Sequence, residues 1–127
     1  MPITRKAFVA GFLCLGLAIL GTAATADKAP LKFGTWTIIE RSSGKLAGTF
    51  DDWNPNTEVF TARWLNGFVD YLHLDKFTDS KIELSGFNTI GDPVHFTGTR
   101  KGQSGEGTAT VTLKNGGKIT WSWGATW

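Results

Sequence analysis

Trp121, Trp123 and Trp127 stand at odd positions in GKITWSWGATW (residues 117–127), with Ile119 and Ala125 completing the series. Alternate residues of a strand share a face, so the three indoles would form one apolar row. An indole has a broad flat face and a single N–H donor, which suits sugar stacking or the wall of an apolar pocket. Trp36 and Trp53 offer two more such surfaces. Trp53 falls in DDWNPN, a turn-like stretch where an exposed contact is more natural than a core role. The candidate ligand-binding residues are therefore Trp36, Trp53, Trp121 and Trp123. A row of indoles left in water on a terminal strand invites aggregation. Trp121 and Trp123 are accordingly expected to point inward and, if the sheet closes, to meet Trp36. Trp127, at the chain end, is expected to stay at least partly exposed.

Other chemistry finds less support. Asp52, Asn54, Asn56 and Glu58 place oxygens at alternate positions, as a calcium loop does. Such a loop needs glycine at its sixth position and glutamate at its twelfth, where Thr57 and Arg63 stand. An Asx-capped turn is the simpler reading. His73 and Asp75 form a His-x-Asp pair, and His95 is the only other histidine. A metal site would need these groups to converge, so His73 reads as a surface histidine beside an acid. Ser104 in GQSGEG is outside the frame of a nucleophile elbow. None of the 11 acidic residues has a context that marks one of a pair of glycosidase carboxylates. No metal and no cofactor is expected, and the sequence reads as a binding protein rather than an enzyme.

The elements that must position these residues are strands. Eight short runs, 33–40, 45–50, 57–64, 67–74, 80–87, 93–100, 106–113 and 117–127, alternate apolar and polar residues. Trp36 shares a face with Ile38, Leu46 with Phe50, Phe60 with Trp64, Ile82 with Leu84, Val94 with Phe96, and Val111 with Leu113. Between the runs stand RSSG, DDWNPN, KFTD, NTIGD, KGQSG and KNGG, rich in residues that cap turns or accept positive φ. Asn115-Gly116 predicts a type I′ hairpin turn. Short connections favour antiparallel neighbours, giving an all-β domain: an up-and-down small barrel or a two-layer sandwich.

The N-terminal stretch reads as a signal peptide over residues 1–26. Arg5 and Lys6 precede an apolar run from Ala7 to Leu20, and Ala24-Thr25-Ala26 fits the cleavage pattern. One domain, 27–127, follows, and export to the periplasm or medium is expected. Cys14, the sole cysteine, lies in the leader, so the domain has no disulfide to support its core. Of 13 basic residues, Arg5 and Lys6 leave with the leader. The remaining 11 balance 11 acidic ones, and no basic tract points to nucleic acid.

GTWTIIERSSGKLAGTF (34–50) resembles the opening of calycin barrels, through Gly34, Trp36, Gly48, Thr49 and Phe50. Lipocalins begin with Gly-x-Trp, and avidin-like proteins follow it with a hairpin ending Gly-Thr-aromatic. The resemblance implies calycin-like barrel geometry. The chain departs from it in having no arginine after Arg100. The function expected first is binding of a small apolar ligand or a carbohydrate. The alternatives are a structural or protein-interaction module of the cell envelope and a small outer-membrane barrel. Membrane-spanning strands need about 9–11 residues, and the 45–50 run is shorter, so membrane integration is not expected.

Overall fold

The computed structural model describes residues 30–127. The expected leader and cleavage site before Asp27 lie outside the described residues. Eight strands follow: β1 (Trp36–Glu40), β2 (Lys45–Asn54), β3 (Val59–Trp64), β4 (Val69–Phe77), β5 (Lys81–Asn88), β6 (Pro93–Lys101), β7 (Ser104–Thr112) and β8 (Lys118–Thr126). Each pairs antiparallel with the next, and β8 pairs back onto β1, closing a barrel. The all-β meander predicted from alternation is the observed fold, and closure selects the barrel over the sandwich.

The loops after β1, β3, β5 and β7 gather at one end. In three of them the last backbone hydrogen bond encloses a three-residue turn: Leu65-Asn66-Gly67, Thr89-Ile90-Gly91 and Lys114-Asn115-Gly116. In each, the glycine amide bonds the carbonyl three residues back, Gly116 reaching Leu113 at 2.9 Å. The glycines take φ of 92°, 87° and 87°. This is a type I turn closed by a left-handed residue. The type I′ expectation for Asn115-Gly116 is thus corrected: only Gly116 has positive φ, because the loop carries one residue more than the two-residue turn allows.

Bulges shift the alternation three times. In β1–β2, the register slips between Ile38 and Ile39, so Leu46 is exposed rather than sharing the face of Phe50. Around Asp52, which has φ 53°, the β2–β3 register slips again. Within that slip, Trp53 lies in β2 and not in a loop. It packs against Phe33 and Phe60, and its Nε1–H donates to the Leu31 carbonyl at 2.8 Å. The third slip, between Leu74 and Lys76, brings Phe77 to the inner face. The turn after Trp53 is Asx-capped, with Asn54 Oδ1 accepting the Asn56 and Thr57 amides.

Lateral rows climb the wall because barrel strands tilt. Trp36, at the end where the chain termini lie, pairs with Phe50, then Ala62, then Asp70, then Asn88 at the opposite end. The same stagger decides which aromatics meet at the seam. Trp36 stacks on Trp127 at 4.3 Å and 18°. Trp123, which was expected to meet Trp36, instead pairs with Glu40 across the seam, and its ring packs on Phe96. Trp121 packs on Phe96 and Trp64.

Trp123 is fully buried. Its lateral row reads Ile82, Gly98, Gly107, Trp123. The two glycines leave a trough across β6 and β7. A Cβ on Gly98 would stand 2.8 Å from Trp123 Cζ2, and one on Gly107 would collide with the Thr97 carbonyl. Glycine in a strand interior marks such a close approach.

The terminus-bearing end is sealed. Phe33 lies edge-on to Trp36, Trp53 and Phe77 at 5.0–5.4 Å. Arg100 covers the Phe77 ring at 4.3 Å while its Nε donates to the Gly102 carbonyl.

Candidate functional site

The other end is open. Inner side chains stop short of the loops there and leave a cavity of about 690 Å³. Ligand pockets span roughly 300–1,000 Å³. Trp64 from the end of β3, Phe96 from β6 and Trp121 from β8 form its aromatic wall, with Val94 and Val111 beside them. Trp64 and Phe96 are parallel at 6.1 Å, and Trp121 stands edge-on to both. Leu46, Leu65, Phe68 and Ile119 line the cavity and are also exposed, giving the mouth an apolar rim.

One ionisable group of this lining is buried. Asp70, at the start of β4, is 5% exposed. It faces inward because it is in phase with Leu72 and Leu74. Ala62 lies directly across from it on β3, and that small residue leaves room for Trp64 to reach Asp70 diagonally. The Trp64 Nε1–H donates to Asp70 Oδ2 at 2.8 Å. Burial pushes the Asp70 carboxyl above the usual aspartate range, and the Trp64 bond opposes this in part. On the other side, Asn88 is directly opposite Asp70. Asn88 Oδ1 accepts the Ile90 and Asp92 amides, tying the β5–β6 loop to the rim.

The four indoles expected from the sequence are distributed along the barrel axis. Trp121 lines the open cavity. Trp123 lies in the core, and Trp36 and Trp53 belong to the aromatic seal at the closed end. They do not converge on one surface. Trp64 and Asp70 are the site residues that sequence reasoning missed. The signal was present: in VDYLHL the apolar set Leu72 and Leu74 extends back, with period two, to Asp70. An acid on the core face of a strand is a distinctive context, contrary to the expectation that no carboxylate had one.

The histidines lie on the outer wall. His73 Nδ1 is 2.7 Å from Asp75 and its Nε2 is 3.7 Å from Glu58. His73 and His95 both pair with Ser85, so they stand two strands apart. Among the described residues no three His, Cys, Asp or Glu side chains group to hold a metal ion. No family model, curated protein or solved structure matches this chain.

Proposed function

We propose that this protein is an exported binding protein that takes a small apolar ligand into the open end of the barrel. The single observation that carries this reading is the cavity of about 690 Å³, walled by Trp64, Phe96 and Trp121 and opening through an apolar rim. A barrel that only had to be stable would fill that space, since interiors pack to near-crystalline density. The opposite end of this barrel is filled in that way, with Phe33, Trp53 and Phe77. The concave site favours a compact ligand over a polysaccharide laid on an outer platform. Most outward positions are polar, among them Thr37, Arg63, Lys81, His95, Thr97 and Glu106, with the exposed Tyr71–Phe87 pair as an apolar exception. Strand length does not separate the two readings, because β2 runs ten residues and not the six of the 45–50 run; the largely polar outer wall supports a barrel facing water rather than one facing lipid, which would present an outward apolar band.

The test is titration of the domain 27–127 with the neutral apolar fluorophore Nile red, alongside Val111→Trp, which fills the cup. Saturable one-to-one binding, lost in Val111→Trp without loss of the folded barrel's circular dichroism, is the expected result. Binding that survives Val111→Trp, or no stoichiometric binding by the native domain, would overturn the reading.

A further inference from the structure

We infer that the cup selects organic ammonium ions with an apolar tail, held by the Asp70 carboxylate and the surrounding aromatic faces; this rests on the ligand-binding reading of the same cavity. Asp70 has two carboxylate oxygens, and Trp64 satisfies only Oδ2. Among the described residues no side-chain or backbone donor is bonded to Oδ1. The buried side-chain polar atoms that are sealed from solvent without a partner are the indole nitrogens of Trp36 and Trp123. Asp70 Oδ1 is not one of them, so it stays accessible, and Asp70 lines the cavity. A carboxylate with an open acceptor in the wall of an apolar cup is costly in the empty protein. A ligand that brings a positive donor to that oxygen removes the cost.

The rest of the lining fits the same chemistry. Its other charged residues are Glu40 and Lys45, cross-strand neighbours at the mouth whose charges offset each other. The net charge of the cup is therefore that of Asp70, so a carboxylate ligand would be repelled. Trp64 and Trp121, each partly exposed with Phe96 packed behind them, offer indole surface that attracts cations through its quadrupole. Trp64 contributes twice, fixing the carboxylate through its N–H and lining the cavity with its ring. An alcohol could donate one hydrogen bond to Oδ1 but would leave the charge uncompensated.

The experiment is displacement of Nile red from the domain by decylammonium, decanol and decanoate, which share a tail and differ in the head. A charge-assisted hydrogen bond corresponds to a preference of about ten- to hundredfold. Decylammonium is expected to displace the dye at concentrations lower by that factor than either competitor. Asp70→Asn keeps an acceptor for the Trp64 indole and removes the charge. It should weaken decylammonium by about tenfold or more and change decanol by much less, since a hydroxyl can accept from the amide as readily as it donates to the carboxylate. If Nile red binds but the three heads compete equally, or if Asp70→Asn binds decylammonium as the native domain does, the ammonium inference fails and the cup reading stands. If Nile red does not bind, the cup reading fails and the ammonium inference fails with it.

Discussion

Replacing Trp127 with alanine tests whether the barrel seam is closed as described. Trp127 lies just beyond β8, yet its ring stacks on Trp36 at 4.3 Å and touches Phe77 at 5.8 Å. Fully burying a large apolar side chain stabilises by about 1.5–3 kcal/mol, so the half-buried Trp127 contributes about half of that. The aromatic pair adds about 0.5–1.5 kcal/mol beyond area. Truncation also opens one face of Trp36, which is otherwise fully buried. The sum is about 2–3 kcal/mol. For a domain of this size it corresponds to roughly 10–20 °C in Tm. Urea and thermal denaturation of the domain 27–127 measure it, with Thr126→Ala as the control. Thr126 is exposed on the outer face of the same strand end, and its truncation should stay within about 0.5 kcal/mol of the native domain. Two stacked indoles also couple excitonically, so the far-ultraviolet circular dichroism couplet should shrink in Trp127→Ala to the part contributed by the Trp64–Trp121 pair and persist unchanged in Thr126→Ala. A Trp127→Ala domain within about 0.5 kcal/mol of the native one, with the couplet intact, would refute the stacked seam.

Trp123→Ala should cost about 3–5 kcal/mol in urea unfolding, whereas Trp123→Phe should cost far less, because removing the unpartnered indole N–H returns about 1–3 kcal/mol. Equal costs for the two variants would mean that the N–H finds a partner. Asp70 has a raised folded-state pKa, so its contribution to stability is full below the usual aspartate value and is lost as pH rises through the raised one. Asp70→Asn should therefore gain stability relative to the native domain across that window, read from denaturation midpoints at stepped pH. A gap that is flat or of opposite slope would contradict the burial argument. Protein recovered from the periplasm or medium should begin at Asp27 by intact-mass analysis; recovery of the full 127-residue chain from the inner membrane would argue against export.

Strand number, order and most inward residues could be read from the sequence because period-two alternation and short glycine-bearing turns act locally. Ile82 and Leu84 on one face, with Val94 and Phe96 opposite, needed nothing else. The sequence lost the phase at the bulges. A bulge adds one residue to one strand and flips every later side chain. Leu46, Trp53 and Phe77 all lie beside such slips, and nothing in FDDWN announces that Asp52 will adopt positive φ. Trp36 met Trp127 and not Trp123 for a different reason: the stagger of a closed barrel is a global quantity, absent from any one strand. The site divided the same way. Trp121 followed from alternation alone, and Asp70 could have been read from the same rule. The cavity could not, because whether an interior is filled depends on eight strands at once.

Seven of the eight strand pairings join sequence neighbours, and the eighth joins β1 to β8 across the domain. This gives folding two timescales. Hairpins of this kind form in about 1–10 µs, but the seam must close a loop spanning most of the chain and bears that entropy before any contact there repays it. Until it closes, the backbone edges of β1 and β8 are both unpaired. In a crowded solution, the β8 edge of one molecule can pair with the β1 edge of another through the very contacts that close the monomer. The Trp36–Trp127 stack then sets the competition between ring closure and domain-swapped association, a kinetic partition that dilution shifts toward the monomer.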